Sequence, residues 1–231
     1  MKLALCIHGL YRPNIYPIPK HLIINLIKTF PTADVYYHTW SNKIESVPIE
    51  YIGKLENCTE PKINYHPIVD SKTDCKHAKW ENYKKQKLLF DKMQHASKQI
   101  LGYADLISKI NKKYDVIIRA RWDTQISTDI DFGPYLKEAL EHPIGFMTRP
   151  TRRHNLNELI EVDKTNEADD WFCYLADVLI FHSPKHFDPK YVHKLHKEEN
   201  LWPCEWGWWQ VMSEPYGDIH NCYHGGAVIA R

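Results

Sequence analysis

The chain has 231 residues, of which 43% are hydrophobic and 26% are charged, and these values are ordinary for a globular domain. Its 30 Lys and Arg residues against 29 Asp and Glu residues leave a formal net charge of +1, which argues against binding to duplex nucleic acid. No apolar run has the length of a membrane span or of a signal peptide, and the six cysteines form no C-x-x-C pair. We therefore expect one cytoplasmic domain with reduced thiols.

The first predicted element is a buried strand over residues 3–7, and a break in the apolar pattern follows it. Two residues of this break suit a ligand. Gly9 allows the backbone to approach a bound molecule closely, and Arg12 has the charge to bind an anion. An ordinary turn also contains such residues, so both interpretations stay open at this point.

A helix over residues 19–30 and a strand over residues 33–40 are predicted next. This β-α-β order implies two parallel strands joined by a right-handed crossover. Trp40 then lies at the end of the second strand that faces a ligand. Its ring either stacks on a base or packs within the protein.

Residues 41–79 have a mixed pattern, with strand-like runs at 50–52 and 63–68. A long helical pattern covers residues 80–113 and leads directly into β-branched residues at 116–118. This order is typical of a crossover helix followed by a parallel strand that is buried on both faces.

The β-branched run ends in two cations and a carboxylate, which are Arg119, Arg121 and Asp123. Such a polar end must leave the core or meet a ligand, because buried unpaired charge is costly. In an open α/β sheet, ligands bind beyond the carboxyl ends of the strands. The arginines suit an anion and the aspartate suits a divalent cation, as a nucleoside diphosphate with its metal requires. The alternative is a surface ion pair that follows a structural strand.

The second half of the chain is predicted to place further strands and helices around a polar loop at residues 149–168. A polar loop of this length in a compact domain is usually functional. The predicted elements are a helix at 135–141, strands at 143–147 and 177–182, helices at 189–197 and 205–212, and closing strands at 218–223 and 227–230.

Three segments give the chain a resemblance to a known family. They are the loop Gly9-Leu10-Tyr11-Arg12, the strand end His38-Thr39-Trp40, and the YDxxxRxRxD pattern from Tyr114 to Asp123. With these segments the chain resembles the nucleotide-sugar-dependent glycosyltransferases of the GT-A fold, especially the small bacterial and viral ones. The resemblance implies an α/β fold with a Rossmann-like, mostly parallel central sheet flanked by helices. It implies a single domain over residues 1–231, with a nucleotide-binding half at about 1–125 and an acceptor-side half at about 126–231.

The activity that the resemblance implies is transfer of a sugar from a nucleoside diphosphate sugar to an acceptor hydroxyl, most simply on a glycan. The charge that develops on the leaving diphosphate is stabilised by cations aimed at it. The residues that we expect to bind the donor are Gly9, Arg12, Trp40, Arg119, Arg121 and Asp123.

The resemblance also implies a divalent metal, manganese or magnesium, because GT-A enzymes usually carry a D-x-D motif. Here Arg121-Trp122-Asp123 stands in its place, so an arginine replaces the first carboxylate. Two alternatives follow. Asp123 holds the metal, with His224 (or, less favoured, His220) completing the metal shell, or arginine charge replaces part of the metal's role.

An inverting transfer needs a carboxylate as general base near the acceptor. Glu205 is the preferred base, and Asp170 is the preferred contact to the donor sugar or the acceptor, since each lies beside a tryptophan that can stack on a sugar. Each is equally well explained as an acid at a helix N-terminus beside a core tryptophan. A retaining transfer would require no such base.

Two other functions remain open. The replaced carboxylate favours a non-catalytic protein that binds a nucleotide or a glycan. The basic residues of the 149–154 segment keep a viral DNA-base glycosyltransferase under consideration, although the net charge argues against duplex DNA.

Overall fold

The computed structural model describes residues 1–9, 20–40, 55–58, 87–127, 129–147, 175, 177–198, 201, 204–213, 215, 221–224 and 227–229. The strands in these parts of the chain are β1 (Leu3–His8), β2 (Ala33–Trp40), β3 (Leu55–Cys58), β4 (Val116–Arg121), β5 (Thr124–Ile126), β6 (Ile144–Met147), β7 (Leu179–His182), β8 (Asn221–His224) and β9 (Ala227–Ile229). The helices are α1 (Lys20–Thr29), α2 (Lys87–Lys109), α3 (Gly133–Glu138), α4 (Pro189–Lys197) and α5 (Cys204–Met212), with a 3-10 turn at Pro184–His186.

The central sheet has the strand order β3-β2-β1-β4-β7-β6-β8, and β5 pairs with β9 in a second, two-stranded sheet. Strands β3, β2, β1 and β4 are mutually parallel. Strand β7 is antiparallel to both of its neighbours, and β8 is parallel to β6. The predicted fold class, an α/β protein with a mostly parallel central sheet flanked by helices, is confirmed.

The sheet has a separate apolar core on each face, because successive side chains of its buried strands point to opposite sides. Leu5 and Ile7 of β1 pack in the cluster that contains Leu26 of α1. Cys6, between them, packs in the cluster that contains Ile100 of α2. The thiol of Cys6 is free and buried, as the sequence predicts.

The strand order reverses between β1 and β4. From β1 the chain passes through α1 to β2 on one side, whereas α2 leads to β4 on the other side of β1. Helices α1 and α2 cover opposite faces of the sheet, so the two connections diverge at this point. Open α/β sheets bind their ligands at such a reversal point, at the carboxyl ends of the parallel strands.

The amino end of β4 is attached to its neighbours by the Tyr-Asp pair that opens the motif. Tyr114 donates its hydroxyl to Asp34 at 2.6 Å, and it also contacts the hydroxyl of Tyr36 at 2.6 Å. The carboxylate of Asp115 accepts from the backbone N–H of Lys2 at 2.6 Å. These contacts fix where β4 begins relative to β1 and β2.

The carboxyl end of β4 is attached by Trp122, which is almost completely buried. Its indole N–H lies 3.1 Å from the carbonyl oxygen of Gly9 and 2.9 Å from that of His38, so one donor joins the ends of β1 and β2 to β4. The ring stacks on Tyr37 with centroids 5.7 Å apart. Trp122 therefore sets the spacing of the three strand ends.

Some predicted elements differ from the observed ones. The helix predicted to Lys113 ends at Lys109. Strand β4 begins with the β-branched residues, as predicted, and includes both arginines. Strand β3 was not predicted, and its hydrogen bonds to β2 define it. The strand-like runs at 50–52 and 63–68 and the loop at 149–168 lie outside the described residues.

Replacing Trp122 with Phe keeps an apolar ring but removes the shared N–H donor. Two buried carbonyl groups then lose a hydrogen bond, and we expect the free energy of unfolding to fall by about 1–3 kcal/mol. Urea denaturation of the wild type and Trp122→Phe at pH 7 measures this difference. A fall below about 0.5 kcal/mol, within the range of neutral surface changes, would contradict the role given to the N–H group.

Candidate functional site

The site lies at the reversal point, where β1, β2 and β4 end at the same edge. His8 pairs with Arg121 in the register of β1 with β4, and Gly9 directly follows. Gly9 has φ +109°, a conformation that side-chain-bearing residues rarely adopt, and an added Cβ would meet nothing within 4 Å. The backbone conformation alone therefore requires glycine here, and the described atoms leave open space beside it.

Arg119 is enclosed in the core at 0% exposure. Its Nε donates to Nε2 of His8 at 2.5 Å, one terminal nitrogen donates to Oε1 of Gln99 at 3.0 Å, and the other donates to the backbone carbonyl of Asp177. The guanidinium also lies over the ring of Trp208, 4.5 Å from its centroid. Arg119 therefore stays within the core, where these protein groups pair its charge, and its predicted contact with a ligand remains a prediction.

Arg119 keeps its charge despite this burial. Desolvation lowers its pKa to about 10, and the nearby cation of Arg121 also lowers the pKa, while the carboxylate of Asp177 opposes the shift. The group is thus protonated at neutral pH. Because hydrogen bonds to ionised groups are stronger than neutral ones, each partner of this cation is held in place.

His8 is a neutral imidazole of defined tautomer. Burial, followed by the charges of Arg119, His38 and Arg121, holds its pKa well below the usual value. Since Arg119 can only donate, Nε2 of His8 accepts and the proton lies on Nδ1. Among the described residues, this Nδ1 has no hydrogen-bond partner. A buried donor of this kind is costly unless something outside the described residues accepts from it.

Arg121 lies nearer the surface, between two carboxylates. Its Nε and one terminal nitrogen bind the two oxygens of Asp123 at 2.8 and 2.9 Å, which is a bidentate fork. Its other terminal nitrogen is 3.7 Å from Oδ2 of Asp177. The side chains of Arg121 and Asp123 are 24% and 21% exposed, so both border solvent.

The segment after β4 is held in register by Thr124. The backbone N–H of Arg121 donates to Oγ1 of Thr124 at 2.9 Å, and this hydroxyl donates to the carbonyl of Val178 at 3.0 Å. The same contact brings the start of β7 to the carboxyl end of β4. It therefore positions Asp177 beside Arg121.

These side chains do not fit a divalent cation as they are arranged. Both oxygens of Asp123 accept from Arg121, so a metal ion would have to displace the guanidinium. Within the described residues, no group of three or more His, Cys, Asp or Glu side chains is placed to bind one metal ion. The predicted role of Asp123 as a metal ligand remains a prediction.

A second polar pair lies beside this cluster. The Nδ1 of His182 is 2.9 Å from the carbonyl of Ser183, which can only accept, so Nδ1 carries the proton. Tyr103 then donates its hydroxyl to Nε2 of His182 at 2.6 Å. Burial lowers the pKa of His182 to about 4, so the imidazole is neutral at pH 7.

Three of the predicted site residues are described by their backbone alone. Trp40 is the last residue of β2. Glu205 is in the first turn of α5, three residues before Trp208. His224 pairs with Met147 at the ends of β8 and β6, three strands from β4 in the sheet order and thus roughly 14 Å away at strand spacing.

Two predicted site residues, Arg12 and Asp170, and the second-choice ligand His220 lie outside the described residues. The structure brings together four residues of the predicted donor site, Gly9, Arg119, Arg121 and Asp123. They lie at the edge of the sheet where Trp122 joins the ends of β1, β2 and β4. Their roles toward a ligand remain predictions.

Sequence reasoning missed two contributors, His8 and Asp177. His8 was treated as the start of a loop, but it ends β1 and accepts from Arg119. Asp177 was recognised only as the start of a strand. That strand is antiparallel to β4, so its beginning lies at the carboxyl edge. An arginine that directly follows a run of buried strand residues is a signal that polar partners for it lie on the neighbouring strands.

Solved structures that are similar to the chain include several sugar-processing transferases. One is a galactosyltransferase, LgtC, in complex with donor and acceptor sugar analogues, with 9% identity, a TM-score of 0.40, and coverage of 96% of this chain and 73% of that one. Another is a glycosyltransferase involved in glycosylation of the major capsid of PBCV-1, with 7% identity, a TM-score of 0.40, and coverage of 99% and 92%. A third is a putative glucose-1-phosphate thymidylyltransferase from Bacillus anthracis in complex with a sucrose, with 11% identity, a TM-score of 0.42, and coverage of 98% and 87%.

These three structural neighbours are two glycosyltransferases and a putative nucleotidyltransferase. No protein-family model and no curated protein matches the chain. Among the described residues, no helix combines the length and apolar character that crossing a membrane requires.

The buried neutral state of His182 predicts a pH-dependent stability. An unfolded His takes up a proton below pH about 6.5, whereas folded His182 does so only near pH 4, so the free energy of unfolding falls as the pH drops through this window. The contribution of this one residue reaches about 3 kcal/mol. His182→Gln keeps an acceptor for Tyr103 and should reduce the slope between pH 6 and pH 5 by about 1.4 kcal/mol per pH unit.

Urea denaturation at pH 7, 6 and 5 measures these slopes. The exposed His21 of α1 provides the matched control, because His21→Gln removes an imidazole from the surface without touching the cluster. Equal slopes in the wild type and His182→Gln would show that folded His182 binds its proton at an ordinary pH, contrary to this account.

Proposed function

We propose that the chain is a glycosyltransferase that moves a sugar from a nucleoside diphosphate sugar to an acceptor hydroxyl on a glycan. The observation that carries the proposal is the position of Arg121 and Asp123 at the reversal point between β1 and β4. Ligands of open α/β sheets bind at this point. Here it combines a glycine of positive φ with a solvent-bordering guanidinium.

The diphosphate leaving group is an anion, and the guanidinium of Arg121 has the opposite charge. When the bond between the anomeric carbon and the diphosphate breaks, negative charge grows on the phosphate oxygens. A guanidinium fixed before the reaction stabilises that charge without reorganising. Arg121 provides this group at the surface of the site, and Arg119 adds a second positive charge from behind it.

The remaining donor and acceptor roles are proposed from the residue types and the sequence motifs. Gly9 lets the backbone approach the diphosphate, Trp40 stacks on the base, and Arg12 adds a phosphate contact. In an inverting transfer, Glu205 accepts the proton of the acceptor hydroxyl as its oxygen attacks the anomeric carbon. Asp170 then binds the donor sugar or the acceptor.

A second candidate function is non-catalytic binding of a nucleotide or a glycan. It is favoured by the charge balance of the described cluster, in which Arg119 and Arg121 face Asp123 and Asp177. Such a balanced cluster is stable without any reactant. The DNA-base transferase alternative depends on residues 149–154, which lie outside the described part of the chain.

The test is a product assay with UDP, GDP and CDP sugars and a panel of glycan acceptors. Parallel reactions contain a nucleoside triphosphate and a sugar 1-phosphate instead. Glycosyl transfer from the nucleotide sugar releases a nucleoside diphosphate, whereas nucleotidyl transfer from the triphosphate to the sugar phosphate releases pyrophosphate, so the released product identifies the reaction class. We expect nucleoside diphosphate release that depends on the acceptor. Binding of a nucleotide sugar without any product would favour the non-catalytic function.

Asp123→Ala should reduce transfer by at least a hundredfold, because the fork that orients Arg121 is lost. The fold should persist, since Asp123 borders solvent. Glu141→Ala is the matched control: it removes a carboxylate from the surface ion pair with Lys185 near the start of β6, at the opposite edge of the sheet. Wild-type turnover in Asp123→Ala would refute the assignment of the site.

A further inference from the structure

The position of Arg121 indicates which positive group neutralises the charge of the diphosphate. Its guanidinium occupies both oxygens of Asp123 at 2.8 and 2.9 Å, and it is 3.7 Å from Oδ2 of Asp177. It therefore lies where a cation shared by these two carboxylates would lie. Its charge is part of the chain and is present whether or not a metal ion is available.

The charges around this point oppose the entry of a second cation. Arg119 and Arg121 are near enough for the charge of Arg121 to lower the pKa of Arg119. Together they carry two positive charges, which is the charge of one divalent ion, and Asp123 and Asp177 balance them. A divalent ion placed here would face two guanidinium groups and would have to remove Arg121 from Asp123.

We infer that Arg121 takes the place of the divalent cation and that this site binds the donor diphosphate without a metal ion. The inference rests on the proposed function, since it concerns the same diphosphate. Asp123 and Asp177 hold the guanidinium and do not coordinate an ion. The specificity is then for a nucleoside diphosphate in its metal-free form.

The chemistry of the guanidinium supports this role. A planar guanidinium binds phosphate oxygens through paired N–H donors, and it stays charged at every physiological pH. Arg121 is held on one side by the fork to Asp123, and it borders solvent on another. Its orientation is thus fixed before the ligand arrives, as it would be for a coordinated metal.

The first experiment titrates the free protein with Mn²⁺ and follows the ion by electron paramagnetic resonance. The wild type should show no binding that depends on Asp123, so wild type and Asp123→Asn should give the same curve. Arg121→Met keeps the unbranched apolar part of the side chain without its charge and exposes both carboxylates. It should bind Mn²⁺ at least tenfold more tightly than the wild type, and Arg121→Met/Asp123→Asn should lose that gain.

The second experiment measures the affinity for UDP, GDP and CDP by calorimetry, in EDTA and then in Mn²⁺. For the nucleotide that binds, the wild-type affinity in Mn²⁺ should be no higher than in EDTA, because Mn²⁺ removes the metal-free form from solution. In EDTA, Arg121→Met should bind it at least tenfold more weakly. Arg121→Lys, which keeps the charge but not the fork, should fall between the two. Glu141→Ala again provides the surface control.

The two experiments separate the two claims. Mn²⁺ binding by the wild type that Asp123→Asn abolishes, or nucleotide binding that requires Mn²⁺, would overturn the inference and leave the glycosyltransferase proposal standing. Failure of every nucleotide to bind in either condition would remove the proposed function. In that case the Mn²⁺ titration still decides whether Arg121 or a metal ion occupies the carboxylates.

Discussion

The buried guanidinium of Arg119 is the interaction on which the rest of the site depends. A charge in a core requires a partner for its donors, and Arg119 has partners in β1, in α2 and at the start of β7, as well as a ring of α5 beneath it. These four elements come from distant parts of the chain. Satisfying one cation therefore fixes the carboxyl end of β1 and the position of Asp177. It also fixes which side of α5 faces the sheet, because Trp208 of that helix packs against the guanidinium.

The two ends of β4 divide the motif into a structural and a chemical part. At the amino end, Tyr114 and Asp115 bind the neighbouring strands. At the carboxyl end, Trp122 spaces the strand ends, and Arg121 and Asp123 border solvent. One ten-residue segment thus contains both the attachment of the strand and the groups that we assign to the donor. The alternation of a strand explains the arrangement, since Arg119 and Arg121 point to one face while Trp122 follows on the other side.

The sequence predicted most of the framework correctly because its signals were local. Strand β2 and helix α4 have the predicted bounds, and proline residues mark the start of α4 and the end of the first helix. The predicted end of the long helix was wrong, because contacts outside the local sequence determine where that helix ends. The apolar pattern continues through Ile110, but the N–H of Ile110 bonds to Ile107 in a turn and the helix has ended.

The site was harder to predict than the framework, again for physical reasons. Leu55–Cys58 has little strand character, and its pairing with β2 makes it a strand. The direction of β7 cannot be read from its apolar residues, yet this direction places Asp177 beside Arg121. The polar strand end that contains Arg119 was expected to leave the core or meet a ligand, because buried unpaired charge is costly. The enclosure of Arg119 depends on His8, Gln99 and Trp208, which are far apart in the sequence.

The most direct test of the central claim is a crystal structure of the protein with a bound nucleoside diphosphate, chosen as the one of UDP, GDP and CDP that binds most tightly. The account predicts the diphosphate at the carboxyl ends of β1 and β4, with phosphate oxygens within hydrogen-bond distance of the Arg121 guanidinium. A diphosphate bound elsewhere on the protein, with the Arg121–Asp123 fork untouched, would contradict it and would make that fork a structural ion pair.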